Sequence, residues 1–134
     1  MEYTVQELAD LAGVTARTIR YYDEIDLLKP ARTNSSGYRI YGRDEVDKLQ
    51  QILFYKKLDI NLDSIKKIIN SPLFDEIKAL KEHRENILQK KQQLELLIVN
   101  LDRTIMSKER EIIMNDEEKF EGFKEKLICS LFIF

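Results

Sequence analysis

The sequence predicts a mainly α-helical protein: a winged helix-turn-helix unit followed by one long helix that dimerises as a coiled coil. Three observations carry that expectation. Two short amphipathic patterns, each opened by a threonine, are separated by a glycine. A turn-rich stretch of alternating residues comes next, and from Ile77 onward apolar residues recur in heptads.

The first helix begins at Thr4-Val5-Gln6-Glu7, where a hydroxyl lies three residues ahead of a carboxylate, the capping-box spacing that satisfies otherwise orphan amide donors. Val5, Leu8, Ala9 and Ala12 then form one apolar stripe, and Gly13 ends the helix. Thr15 caps a second helix after a turn of a few residues, which is the layout of a helix-turn-helix. On that helix Thr18, Ile19, Tyr22 and Ile25 fall on one side, with Arg17, Arg20 and Glu24 roughly opposite and Tyr21 on the flank. Tyr22 is therefore expected in the core and Tyr21 outside it, with the helix stopping before Pro30.

In "ARTNSSGYRIYG", residues 31–42, the run Asn34-Ser35-Ser36-Gly37 is a turn signal between short alternating segments, which reads as a hairpin or wing. Helical periodicity returns at Asp44, with Val46, Leu49, Ile52 and Leu53 as its stripe. Asn61 caps a shorter helix carrying Leu62, Ile65, Ile68 and Ile69. Ser71-Pro72, a cap followed by proline, reads as the start of the long helix. Its seam takes Ile77, Arg84, Lys91, Ile98, Ile105 and Ile112 at one heptad position and Leu80, Ile87, Leu94 and Leu101 at the other. A lone helix in so short a chain has nothing to bury that seam against, so a dimer is expected.

Composition limits the function classes. The chain has 134 residues and a net charge of −2, with 34% charged and 43% hydrophobic residues, a balance that suits a helix-rich soluble protein. Residues 1–70 carry 11 Lys+Arg and 11 Asp+Glu, and residues 71–134 carry 11 and 13, so neither half is a basic domain. Any case for nucleic acid must rest on where the cations sit. No apolar run approaches the roughly 18 residues of a membrane span, and the N-terminus lacks the order of a secretory signal, so no membrane partner and a cytoplasmic location are expected. The single Cys129 excludes an internal disulfide and a multi-cysteine metal site. With no Gly-rich phosphate loop, no nucleophile beside a base and no metal-ligand set, neither an enzyme nor a cofactor is expected.

Arg17, Arg20 and Tyr21 either form the ordinary polar outer face of an amphipathic helix or make a surface that grips something flat and anionic. Other residues also keep two readings open at this point. Lys56 and Lys57 close a helix, where cations are favourable against its dipole, or they contact phosphate. Arg39 and Arg43 beside the wing keep a hairpin soluble, or contact phosphate. His83, and acid pairs such as Asp23-Glu24 and Glu117-Glu118, read as solvated helix residues. Phe120, Phe123, Leu127 and Leu131 have helical spacing, and "LICSLFIF" closes the chain in nearly unbroken hydrophobics. That tail belongs to a fragment or frameshifted form, packs on a partner, or folds back on the coiled coil.

Residues 3–70, and above all "GVTARTIRYYDEIDLLKP" with "GYRIY", resemble the MerR family of bacterial transcription regulators. The resemblance implies a DNA-binding winged-helix domain over residues 1–70 and an antiparallel coiled-coil dimerisation helix over 71–114. Residues 115–134 would be the start of an effector-binding domain, or a tail. It further implies a homodimer on a promoter pseudo-palindrome, distorting an overlong spacer so that RNA polymerase meets both promoter elements. Arg17 would read base edges, while Thr15, Arg20 and Tyr21 would position the helix on the groove and backbone. Tyr38, Arg39 and Lys56 would hold phosphates. The stretch "NDEEKFEGFKEKL" is similar to the opening of the effector domain in the multidrug- or thiopeptide-responsive TipA and Mta branch. Since effector domains of that branch are much longer, a small-molecule effector is not expected for this chain, which reads as a ligand-independent regulator. The rival reading is a coiled-coil adaptor whose winged domain docks protein.

Overall fold

A computed structural model describes residues 1–110 and 113–123. The chain divides into two compact units, Met1–Phe74 and Asp75–Phe134. In the first unit the elements run β1 (Tyr3–Thr4), α1 (Val5–Ala12), α2 (Ala16–Glu24), β2 (Arg32–Thr33), β3 (Arg39–Tyr41), α3 (Arg43–Lys57) and α4 (Leu62–Ile69). The second contains α5 (Glu76–Arg110) and a single 3-10 turn at Glu118–Phe120.

Local capping chemistry accounts for most helix ends. Thr4 Oγ1 accepts from the Glu7 amide at 3.2 Å, while the Thr4 amide donates to Glu7 Oε1 at 3.0 Å, closing the expected box. Gly13 ends α1 with φ 71°, a left-handed conformation that costs glycine nothing. Thr15 and Asn61 cap α2 and α4 by accepting from Thr18 and Ser64 amides. The ends of α2 and α3 share one device. Asp26 and Asp59 both adopt φ 60°, and the amides of Leu27 and Ile60 each reach back five residues, to the carbonyls of Tyr22 and Tyr55.

The hairpin is present and belongs to a three-stranded antiparallel sheet of order β1-β3-β2. Tyr3 pairs with Tyr41, Thr4 and Arg32 both with Ile40, and Thr33 with Arg39. The extra strand was not expected, because two residues are too few to show a period. Asn34 shapes the wing tip by accepting from the Ser36 and Tyr38 amides at 3.0 and 2.9 Å. The core collects Leu8 and Ala9 of α1, Ile19 and Tyr22 of α2, Leu27 and Leu28, Ile40 and Tyr41, Leu49, Ile52 and Tyr55 of α3, and Ile65 of α4. On α3, Leu53 and Val46 are only half-buried, and Gln51 is buried in their stead.

A carboxylate ties the wing to α2. Asp23 Oδ2 accepts from Arg39 Nε at 2.6 Å, and its other oxygen lies 3.0 Å from Lys29 Nζ. This corrects the expectation of a solvated Asp23: its side chain is mostly buried and serves as a clamp between α2 and β3. Burial pushes the carboxyl pKa up, but hydrogen bonds and charge from Lys29 and Arg39 outweigh it and leave the pKa below the usual value.

Three other expectations are corrected. Ser71-Pro72 does not start the long helix; Phe74 N donates to Ser71 O in a separate turn, and Asp75 accepts from the Lys78 and Ala79 amides where α5 begins. His83 is buried, 2% exposed, and desolvation lowers its pKa to about 4. Phe120 and Phe123 do not lie on a continuous helix, since Gly122 turns the chain with φ 86°. Leu127, Leu131, Cys129 and Ile112 lie outside the described residues. None of the described helices is long and apolar enough to cross a membrane.

Two measurements test these placements. Asp23→Asn is expected to lower stability in urea by about 1–2 kcal/mol at neutral pH. A depressed carboxyl pKa stabilises the fold above the unfolded value and loses that contribution as pH falls through the folded one. The gap between wild type and variant should therefore close on acidification below about pH 4. His83, as the chain's single histidine, gives an unambiguous NMR titration, with an expected midpoint near 4. Stability should decline as pH falls from about 6.5 towards 4, where only the unfolded chain takes up that proton; a midpoint near 6.5 would show a solvated ring.

Candidate nucleic-acid interface

Helix α2 separates two chemistries around its circumference. Ile19 and Tyr22 point into the core, Tyr22 being 5% exposed, while Arg17, Arg20 and Tyr21 face solvent, with Tyr21 47% exposed. The two adjacent tyrosines thus do different jobs, as the helical angle requires. Thr15, at the start of the helix, is exposed, but its hydroxyl already serves the cap, accepting from Thr18 N and lying 2.8 Å from Thr18 Oγ1. A phosphate near this helix would meet the N-terminal end of the helix dipole as well as the side chains.

The wing supplies a second group. Tyr38 stands out at its tip, 67% exposed, next to Arg39. The guanidinium of Arg39 is held by Asp23 on α2, so the wing and α2 are joined side chain to side chain. Lys29 completes that network, bonded to both Asp23 and Asp26, and Arg32 of β2 pairs with Glu2 at 2.8 Å. Arg43 opens α3 and Lys56 lies in its last turn, both exposed. Thirteen residues of helix put them roughly 20 Å apart along its axis, so they cannot share one phosphate. Among the described residues no ion pair neutralises Arg17, Arg20, Arg43 or Lys56. These cations are available to an anion from outside the chain.

Asp23 is the site residue that sequence reasoning missed, and Lys29 came with it. Its partner lies sixteen residues away, and only the fold brings them together. No three His, Cys, Asp or Glu side chains are grouped so as to hold a metal ion among the described residues.

The predicted seam residues lie on α5. Ile77, Ile87, Leu94, Ile98, Leu101 and Ile105 are exposed and Leu80 is half-buried, so a row of large apolar side chains faces solvent along most of the helix. Arg84 and Lys91 interrupt the row and are exposed with it.

Residues 3–71 match the family described as MerR HTH family regulatory protein. Over 126 residues the chain is 38% identical to the HTH-type transcriptional activator mta of Bacillus subtilis (strain 168), covering 94% of this chain and 49% of that protein. It is 39% identical over 121 residues to the HTH-type transcriptional regulator SkgA of Caulobacter vibrioides, covering 90% of this chain and 48% of that one. The chain thus spans about half the length of these curated relatives. The crystal structure of SkgA from Caulobacter crescentus superposes with a TM-score of 0.82 at 38% identity, covering 92% of this chain and 89% of that chain. With the motif-bearing residues, the winged unit and these likenesses in agreement, the chain belongs to the MerR family of helix-turn-helix regulatory proteins.

Proposed function

We propose that this chain is a sequence-specific DNA-binding transcription regulator that grips a promoter spacer as a homodimer, in the cytoplasm, and distorts it to activate transcription. The observation that carries the reading is the outward face of α2, where Arg17, Arg20 and Tyr21 stand exposed beside a clamped wing. In this reading Arg17 enters the major groove and donates two hydrogen bonds to a guanine edge. Arg20, Tyr21 and the Thr15 end of the helix set its register on the backbone. Tyr38, the edge of Arg39 not bonded to Asp23, Arg43 and Lys56 take separate phosphates.

Dimerisation follows from the exposed apolar row on α5, which an antiparallel partner helix would cover through Ile77, Leu80, Ile87, Leu94, Ile98, Leu101 and Ile105. Two winged units then address a two-fold symmetric site, and contacts at both ends supply the free energy to bend and untwist the spacer between them for RNA polymerase. The activator name of the Bacillus subtilis relative supports activation as the outcome. Action without a small-molecule effector is part of the same reading.

A footprint on DNA upstream of the chain's own gene, with and without RNA polymerase, tests the whole reading. A symmetric footprint inside an overlong spacer, with polymerase engaged, is the expected result; no footprint would move the weight to a protein-docking adaptor. Arg17→Ala should weaken operator binding by about 1–3 kcal/mol and relax preference at one base pair. Lys56→Ala should weaken binding to all sequences alike and reduce the salt slope by roughly one. For the seam, Leu94→Asp with Ile98→Asp should convert a dimer to a monomer in light scattering and abolish tight operator binding, with the winged unit still folded.

A further inference from the structure

Helix α5 carries two stripes, and their chemistry is the reverse of what an isolated amphipathic helix shows. The apolar heptad row is exposed. About 110° away around the helix runs a second row at the same three-and-four spacing, through Ala79, His83, Asn86, Gln93, Asn100 and Thr104, with Lys90 and Leu97 at the two intervening positions. This row is mostly polar, yet His83, Asn86 and Asn100 are buried and Gln93 and Thr104 half-buried.

Between Gln93 and Thr104 the chain's own later segment lies on this row and is read through its backbone. Asn100 Nδ2 donates to the carbonyls of Lys119 and Glu121 at 3.0 and 2.8 Å, so both amide protons are used. Gln93 Nε2 donates to Gly122 O at 3.3 Å. Thr104 Oγ1, donating to Asn100 O at 2.8 Å with Asn100 Oδ1 at 3.2 Å, steadies the amide, and Arg103 pairs with Glu121 at 2.9 Å. Gly122 is required twice over. Its φ is 86°, and a Cβ there would lie 2.9 Å from Leu97 N and 3.2 Å from Leu96 C, atoms of the helix backbone that cannot step aside.

Little apolar surface holds this contact. Of the described residues 113–123 only Met114 is buried, while Phe120 and Phe123 stay 62% and 61% exposed, stacked edge to face on each other. A contact resting on a few hydrogen bonds and one ion pair, with few buried apolar groups, is drawn from the low-stability end of a fold.

We propose that the Gln93–Thr104 stretch of this row is a latch for the segment Asn115–Phe123 of the same chain, with Asn100 as its positioning residue. The latch holds that segment along α5, and it opens without disturbing the apolar row or the winged unit. Because Asn100 and Gln93 bind carbonyls, the latch selects a backbone path with glycine at 122 and is indifferent to the side chain at 119.

Limited proteolysis with trypsin at Lys119, together with hydrogen exchange of residues 113–123, tests the proposal on the full chain. Asn100→Ala and Gly122→Ala open the latch from opposite sides. Each is expected to speed cleavage after Lys119 about tenfold or more and to raise exchange in the segment. Helix content, oligomeric state and operator affinity should equal those of wild type. If Asn100→Ala also lowers helix content, Gly122→Ala, which leaves α5 untouched, decides. Unchanged cleavage and exchange in Gly122→Ala, or a wild-type segment already cleaved as fast as a free peptide, would overturn the latch. A changed oligomeric state or affinity on opening would overturn its independence from the apolar row and the winged unit. The protease readout needs no DNA, so a failure of the DNA-binding reading would be distinguishable from a failure of the latch.

Discussion

Asp23 sits where α2, the wing and the turn after α2 meet, and its two oxygens are both committed, one to Arg39 on β3 and the other to Lys29. Without that carboxylate, α2 and the wing would be joined only by the chain between them and by the packing beneath. With it, they are also joined side chain to side chain. In the proposed reading Arg17 must be placed to within a fraction of a hydrogen-bond length, and a charge-assisted bond from α2 to the wing, backed by Lys29, helps to keep its surroundings in place. The same bonds explain why Asp23 tolerates being mostly buried: a lone carboxylate there would be desolvated at a cost, whereas a paired one is not left wanting.

The net charge of −2 is no obstacle to this reading, because the balance is spatial. Lys29, Arg32 and Arg39 are neutralised by acids of the same chain and shape the fold, while Arg17, Arg20, Arg43 and Lys56 meet no such partner among the described residues. Pairing therefore divides the cations of the winged unit into architectural and available ones. Counting charges in the sequence mixes the two.

What could be read from the sequence was the chemistry that acts within about four residues. The Thr4-Glu7 box, the Gly13 stop, the Thr15 and Asn61 caps and the opposite facing of Tyr21 and Tyr22 all depend on near neighbours, and all appear as expected. The failures have the opposite character. Strand β1 exists because β3 is there to pair with it, and Asp23 is buried because Arg39 arrives from sixteen residues away. His83 looked solvated because polar neighbours surround it in sequence, yet the fold buries it. The start of α5 differs in the same way, since Ser71-Pro72 satisfies the local rule for a helix start and is used for a turn instead. Legible in the sequence is a repeat whose two copies, Tyr-x-x-Ile-Asp-Leu at 22–27 and Tyr-x-x-Leu-Asp-Ile at 55–60, close their helices with the same left-handed aspartate.

In the two proposals made for helix α5, one element serves two contacts with different requirements. A seam meant to be covered by another helix gains most from apolar side chains, because burial of area is non-directional and rewards any close fit. A contact meant to guide an irregular segment must satisfy that segment's carbonyls, which apolar side chains cannot do, so amides are the effective choice despite the smaller net gain. The two rows lie far enough apart on the helix circumference for each to be occupied without the other. An exchange of their chemistries would undo both contacts. Amides along the seam would leave a partner helix with little to bury, and leucines under Lys119 to Gly122 would strand three carbonyls.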